Sequence, residues 1–167
     1  RILWNQQSII FHKSEEKFSC QFSGPSPISI QAINHQITDF FHNRNTSQSF
    51  AISDLIIGDD RIIIPLLGEP DQIIPPLNSL IENLISSQIS ENNITLLCHQ
   101  PLADAIALKY KGRFQLIIHD PSAESERAYL ASTTSGTRIY LNRHLLDHDI
   151  VLPIVVAEPI SHAAGLG

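Results

Sequence analysis

Residues 61–67 read Arg-Ile-Ile-Ile-Pro-Leu-Leu, and only the first of them carries a charge. A run this short and this apolar has the length of a β-strand that is buried on both faces, as in a parallel sheet. The segment Ile73–Ile89 follows with a wide apolar stripe at helical spacing, and Pro75 and Pro76 lie in its predicted first turn. The pattern therefore predicts a buried strand followed by an amphipathic helix.

The same alternation continues along the chain. Asn93–Cys98 is predicted to be a strand, Pro101–Tyr110 a helix and Phe114–Ile118 a third strand. Alternating strands and helices at this pitch imply right-handed crossovers and a parallel sheet. The predicted fold class is therefore α/β, with a Rossmann-like parallel sheet and βαβ crossovers, and residues 1–167 are predicted to form a single domain.

Shorter elements flank this repeat on both sides. The sheet is preceded by a short N-terminal β-hairpin in the prediction, and a second hairpin follows the third strand. The predicted flanking elements are the strands Ser8–His12 and Lys17–Phe22, the helix Ile28–His42, the strands Tyr129–Ser132 and Arg138–Leu141, the helix Asn142–His148 and a last buried strand, Ile150–Val156.

Composition excludes several classes of partner. The formal charge is −6 and the Lys and Arg residues are scattered, so we expect no nucleic-acid surface. No apolar run approaches the ~18–20 residues of a membrane span, and the start does not resemble a signal peptide. Cys20 and Cys98 form no disulfide framework, which favours a reducing cytoplasm. The chain contains no Met and ends at Gly167 as if within a loop, so we expect a fragment of a longer protein.

Ligands of open parallel sheets bind outside the carboxyl ends of the strands. His99 directly follows a predicted strand and precedes a helix opened by Pro101, so its ring is expected to point into that crevice. An imidazole there can transfer a proton near neutral pH, whereas the structural interpretation is a histidine that satisfies helix-end groups or a neighbouring carbonyl. The neighbouring Cys98 has no base supplied by the sequence and is expected to be a small core residue.

The other histidines give weaker signals. His144 and His148 are four residues apart on a predicted helix, but no third ligand is evident, so no metal site is predicted. His162 lies in a stretch of small residues that suits either a ligand or an interdomain connection. Standard nucleotide-binding fingerprints such as G-x-G-x-x-G are absent. The remaining histidines are interpreted as isolated surface or loop residues: His12, His35, His42 and His119.

Several segments resemble a known family. Residues 130–143 read L-A-S-T-T-S-G-T-R-I-Y-L-N-R and resemble L-G-T-T-S-S-G-T-P-V-Y-V-N-R of the nickel-dependent lactate racemase (LarA) family. The strand Asp149–Val156 leads into Glu158-Pro159 as the family's strand leads into E-P-H. Gly58-Asp59 is similar to the start of P-G-D-K-V, and Thr95–Pro101 to A-T-G-T-H-R-P. The resemblance is to the family's N-terminal half and extends over most of the chain.

The resemblance implies a racemase that uses a nickel-pincer nucleotide, held covalently by a lysine. In that family two histidines act as acid and base on opposite faces of a 2-hydroxy acid. His99 matches the first of them. Ile160 stands at the second position, and His162, two places later, is a shifted candidate for its role. The lysine would fall beyond Gly167 and so lies outside this chain.

Two further positions depart from the family pattern. D-x-T-R-P corresponds to Leu66–Pro70, where Glu69 replaces the arginine, and a carboxylate there is expected to repel anions. Leu97 replaces a glycine and would crowd a close backbone approach. We therefore predict a divergent LarA-like domain that is inactive as this chain, with a crevice around His99 for a small 2-hydroxy acid.

Two alternatives stay open. One is a working nickel-pincer-dependent racemase that is completed by a C-terminal domain; the partner expected for this chain is such a domain or a second copy in a homo-oligomer. The other is a non-catalytic ligand-binding or protein-interaction domain that uses Glu158–Gly167 as a docking arm. The sequence leaves the cofactor undetermined.

Overall fold

The secondary structure alternates between strands and helices through most of the chain, as the sequence predicts. It is taken from a computed structural model that describes residues 9–13, 16–20, 29–43 and 51–156. In chain order the elements are β1 (Ile9–Lys13), β2 (Glu16–Cys20), α1 (Ile30–His42), β3 (Ile62–Leu67), α2 (Pro70–Ser86), β4 (Ile94–Cys98), α3 (Gln100–Tyr110), β5 (Gln115–Ile118), β6 (Arg127–Ser132), β7 (Arg138–Asn142), α4 (Arg143–Leu146), β8 (Ile150–Val151) and β9 (Ile154–Val155).

The chain divides into two compact units, residues 1–32 and 33–167. In the smaller unit, β1 and β2 pair antiparallel from Ile9 opposite Cys20 to Lys13 opposite Glu16. This pairing confirms the predicted N-terminal hairpin. The expectation that residues 1–167 form a single domain stays a prediction.

In the larger unit, the strands lie in the order β5, β4, β3, β8, and β9 also pairs with β3. Every pair in this sheet is parallel. Successive strands are connected through helices α2 and α3, which is the arrangement that parallel pairing requires. The predicted α/β fold with a Rossmann-like parallel sheet is confirmed.

One face of the sheet packs against helices. Ile62 and Ile64 of β3 and Ile94 and Leu96 of β4 are fully buried on this face. Alternate residues of a strand point to the same side, so these four side chains share it. The helices contribute the buried residues Phe41 of α1, Ile73, Leu77 and Leu84 of α2, and Leu102 and Ile106 of α3.

Helix α2 begins earlier than predicted. The sequence predicts Ile73 as its first residue, whereas the helix begins at Pro70, with Glu69 at the N-cap position. Proline at the first position costs little, because its missing N–H would have no partner within the helix. The helix ends before Gln88, which has a positive φ of 68°, and so Ile89 lies outside it.

As a result, Pro75 and Pro76 lie inside α2 rather than in its first turn. Each lacks the N–H that would bond to the carbonyl four residues earlier, which leaves the carbonyls of Asp71 and Gln72 without those bonds. Both of these residues are exposed, so water can reach the carbonyls. The prolines are tolerated because they affect only the solvated start of the helix.

The last strand is interrupted, whereas the sequence predicts a continuous strand Ile150–Val156. Leu152 donates its N–H to Ile63 O at 3.0 Å, so odd-numbered residues of β3 face this strand. Pro65 belongs to the same series, and it has no N–H to donate across. The ladder therefore breaks opposite Pro65, and two short strands replace one.

The prediction that this strand is buried is also wrong. Val151 and Val155 are 41% and 57% exposed, because β8 and β9 lie at the end of the described sheet. The prediction Asn142–His148 for α4 is too long as well. The helix is a single turn that ends at Leu146, and Asn142 caps it by accepting the N–H of His144 at 2.9 Å.

The second hairpin is confirmed. Strands β6 and β7 pair antiparallel, with Tyr129 opposite Tyr140. The turn between them is closed by Gly136 N–H, which donates to Thr133 O at 2.9 Å. Gly136 has a φ of +84°, a conformation that glycine adopts without a steric cost. Among the described residues, no helix combines the length and apolar character needed to cross a bilayer.

Candidate ligand site at the carboxyl edge of the sheet

A cavity of about 710 Å³ opens where β3, β4 and β5 end. Its walls are mainly apolar, with Leu66, Leu97, Leu145 and Val155 among the lining residues. The carboxyl edge of an open parallel sheet is the usual position of a ligand site. The cavity therefore lies where the sequence predicts a crevice.

His99 lines this cavity, as predicted. It follows the last residue of β4 and occupies the N-cap position of α3, but its side chain makes no capping hydrogen bond. The side chain is exposed, and no described residue hydrogen-bonds its ring. The alternative that the imidazole satisfies helix-end groups is therefore not supported. Its catalytic role stays a prediction.

His119 lines the same cavity, although the sequence interpretation treats it as an isolated loop residue. The pairing of Cys98 with Ile118 places His99 and His119 side by side after neighbouring strands. The N–H of His119 donates to Cys98 O at 2.7 Å, which extends the ladder to this residue. The sequence contained the signal, since each histidine directly follows a strand.

Asn142 holds the ring of His119 from the far end of β7. Its Nδ2 lies 3.0 Å from Nδ1 of His119, and it also lies 3.5 Å from Oε2 of Glu126. All three residues line the cavity. The strand residues that resemble the racemase family thus bring an amide next to an imidazole that lies more than twenty residues earlier in the chain.

The charges at the cavity are of both signs. The carboxylates of Asp120 and Glu126 line it together with the guanidinium of Arg127, whose Nη2 donates to Pro121 O at 2.7 Å. Hydrogen bonds from the hydroxyl and the backbone N–H of Ser122 lower the pKa of Asp120 from its ordinary value. Asp120 is therefore ionised at neutral pH.

Glu69, the predicted source of anion repulsion, is exposed at the N-cap of α2 and does not belong to the cavity lining. Leu97 does line the cavity and is 6% exposed, so it fills space at the base of the site. The carboxylates that oppose an anion inside the cavity are those of Asp120 and Glu126.

Cys98 is a core residue, as predicted. It is 2% exposed, and burial raises the pKa of its thiol to about 11. At neutral pH almost all of this thiol is protonated, whereas the thiolate is the nucleophile. The site therefore offers imidazoles rather than an activated thiol.

His148 has both ring nitrogens in use. Its Nδ1 donates to His144 O at 2.6 Å, and its Nε2 lies 3.0 Å from Oγ1 of Thr95. A carbonyl oxygen accepts only, so Nδ1 carries the proton and neither nitrogen is free to bind a metal ion. The hydrogen bonds of His148 to His144 O and to Thr95 instead connect α4 to β4.

The remaining predicted positions fall elsewhere. His162 and the segment 158–167 lie outside the described residues. His35 is exposed on α1, and His42 does not stand alone, because its Nε2 lies 3.0 Å from Oδ1 of Asn83 in α2. His12 lies in β1. Of the predicted site residues, the structure therefore places His99 at the cavity and adds His119.

Comparison with known proteins gives a structural neighbour. No protein-family model and no curated protein matches the chain. Among solved structures it resembles the lactate racemase apoprotein from Thermoanaerobacterium thermosaccharolyticum, with a TM-score of 0.56 and 16% sequence identity. The chain has a lactate-racemase-like fold. The likeness covers 88% of this chain and 38% of that one, so this chain spans well under half of the racemase's length.

The lactate-racemase-like fold raises the question of a nickel-pincer nucleotide, which the family resemblance implies. The described lining of the cavity does not suit an anionic nucleotide, because Asp120 and Glu126 oppose phosphate and Arg127 is the only lysine or arginine in that lining. The described residues also contain no group of three or more His, Cys, Asp or Glu side chains able to hold a metal ion. The described residues therefore do not fit this cofactor.

Proposed function

We propose that this chain is a lactate-racemase-like domain whose cavity binds a small 2-hydroxy acid, and that it does not itself invert the acid. The observation that carries the proposal is His99, an exposed imidazole with no described partner at the edge of a cavity of about 710 Å³. The lactate-racemase-like fold supports the class of ligand.

The lining favours an acid with an apolar side chain. Pockets of roughly 300–1,000 Å³ hold drug-sized ligands, so three-carbon lactate would fill little of this one. Leu66, Leu97 and Val155 would contact the side chain of a longer acid, and burial of each additional methylene contributes about 0.8 kcal/mol. The acid carries a single negative charge, which the guanidinium of Arg127 in the same lining would balance. A ring nitrogen of His99 would hydrogen-bond the hydroxyl or carboxylate oxygens.

The proposal that this chain does not invert the acid rests on residues that differ from the family pattern. Inversion by the family's chemistry needs an imidazole on each face of the acid, and Ile160 stands where the resemblance implies the second. Leu97 occupies a position where the resemblance implies glycine, and the carboxylates of Asp120 and Glu126 disfavour an anionic cofactor. The substitutions at Ile160 and Leu97 therefore disfavour racemisation.

The test is isothermal titration with 2-hydroxy-4-methylpentanoate and with lactate. We expect the longer acid to bind at least about tenfold more tightly, since it buries three more carbons. His99→Ala should weaken its binding by about tenfold. The matched control is His35→Ala, which removes an exposed histidine of α1 and should leave affinity unchanged.

Three outcomes would contradict the proposal. If neither acid binds, the proposed class of ligand is wrong. If the wild type and His99→Ala bind with equal affinity, His99 does not contact the ligand. Chiral chromatography measures whether the purified chain inverts either acid. Inversion would favour the alternative of a working racemase.

A further inference from the structure

The amide of Asn142 has a fixed orientation. Its Oδ1 accepts the backbone N–H of His144 at 2.9 Å, at the start of α4. A backbone N–H donates and never accepts, so the oxygen of the amide must be the atom on this side. The opposite atom, Nδ2, therefore faces His119.

This orientation sets the tautomer of His119. Nδ2 of Asn142 is a donor and lies 3.0 Å from Nδ1 of the imidazole, so Nδ1 must accept and cannot carry a proton. In the neutral ring the proton then resides on Nε2. The second hydrogen of the amide is directed to Glu126, at 3.5 Å, which is a long and weak hydrogen bond.

The proton on Nε2 is available to a ligand. The ring lines the cavity, and no described residue hydrogen-bonds Nε2. The backbone of His119 is fixed by its bond to Cys98 O at 2.7 Å, and the ring is fixed by Asn142. A donor whose side chain is already oriented loses little conformational entropy when it hydrogen-bonds an acceptor on the ligand.

We infer that Asn142 is a positioning residue that locks His119 as the Nε2–H tautomer, and that His119 donates this proton to a carboxylate or hydroxyl oxygen of the bound acid. The class of ligand rests on the proposed function, whereas the locked tautomer does not. His99 and His119 together would then hold one small ligand from the ends of neighbouring strands.

A simpler role for Asn142 is to cap α4 and nothing more. The variant Asn142→Asp separates the two roles, because aspartate caps a helix about as well as asparagine. The new carboxylate only accepts, so it would draw a proton onto Nδ1 of His119. The capping bond to His144 N–H is kept in this variant, and the fold should be kept with it.

The first measurement is the ¹⁵N chemical shifts of the His119 ring in ligand-free protein near pH 8. We expect Nε2 to be protonated and Nδ1 to be unprotonated in the wild type, and Nδ1 to be protonated in Asn142→Asp. A protonated Nδ1 in the wild type, or the same tautomer in both proteins, would overturn the positioning role. This measurement needs no ligand, so it is independent of the proposed function.

The second measurement is titration of two variants with 2-hydroxy-4-methylpentanoate. The amide nitrogen of glutamine reaches the position of Nε2, whereas that of asparagine reaches only the position of Nδ1. We expect His119→Asn to weaken binding by about tenfold and His119→Gln by less than about threefold.

The results distinguish the two proposals. Where the wild type binds the acid and His99→Ala weakens it, unchanged affinity in His119→Asn overturns the donor role of His119 and leaves the proposed function intact. Where the wild type binds neither acid, the proposed function fails together with the donor role, and the ring shifts alone decide the locked tautomer.

Discussion

The face of the parallel sheet that packs against helices (the helix side) and the cavity at its carboxyl edge with the bordering hairpin (the cavity side) differ in how completely they are covered. On the helix side, Ile64 and Leu96 are fully buried beneath α2 and α3. On the hairpin β6–β7, which borders the cavity, Tyr129 and Leu130 are 56% and 48% exposed. The helix side carries most of the apolar burial, and the cavity side carries the exposed imidazoles. Stability and ligand binding are thus separated between two parts of one unit.

The largest effect should come from the helix side. Leu96→Ala removes a fully buried side chain and leaves a void under the helices, so we expect the free energy of unfolding to fall by about 2–5 kcal/mol. The same change in the hairpin, Leu130→Ala, is the matched control and should cost under about 1 kcal/mol. Urea denaturation of both variants measures the difference, and equal losses would contradict the separation.

A second, smaller effect should appear where the two sides meet, at Cys98. With a pKa of about 11, roughly one thiol in a thousand is ionised at pH 8, against about one in ten at the ordinary value of 9.0. We therefore expect alkylation of the folded protein to be about a hundredfold slower than that of the urea-unfolded chain, which is the control. Mass spectrometry of the peptide that contains Cys98 measures both rates, and similar rates would show that the thiol is not buried.

The smallest effect should come from the exposed ion pair between Arg61 and Asp149. The guanidinium Nε donates to Asp149 Oδ2 at 3.1 Å, and this bond lowers the pKa of the carboxyl below its ordinary value of 3.8. A lowered carboxyl pKa stabilises the fold above the unfolded pKa, and the gain is lost as the pH falls through the folded pKa. Melting temperatures of the wild type and Asp149→Asn should therefore differ slightly at pH 7 and converge at the acid end, below pH 3.8.

The exposed Asp59, whose carboxylate forms no ion pair with a described residue, provides the control for this last change. Asp59→Asn should leave the melting temperature unchanged across the same pH range, because no bond to the carboxylate is lost. A melting temperature of Asp149→Asn equal to that of the wild type at pH 7 would mean that solvent screens the pair completely.

The alternation of strands and helices could be predicted from the sequence because burial on both faces leaves a direct signal. Strand β3 carries no polar side chain, so its bounds are predicted to within one residue, whereas the apolar stripe of α2 predicts its bounds to within three. The start of α2 was missed because Pro75 and Pro76 indicate a first turn, and the sequence does not show that water reaches the carbonyls they leave free.

The site could be predicted only in part, for a similar reason. His99 was found because its position depends on one strand and one helix that are adjacent in the chain. The partner of His119 is Asn142, which is brought to it by the hairpin β6–β7 and by the capping of α4. Those contacts depend on tertiary packing, and no local pattern in the sequence encodes them.

The interrupted strand at the end of the sheet has a consequence for self-association. The N–H of Leu152 points toward β3, so the backbone nitrogen of the next residue, Pro153, points away from β3. A further strand on that side would need an N–H donor at this position. Proline offers none, and the paired segments on either side of it are only two residues long. Within the described part of the chain, this border of the sheet is therefore a poor template for cross-chain β-pairing.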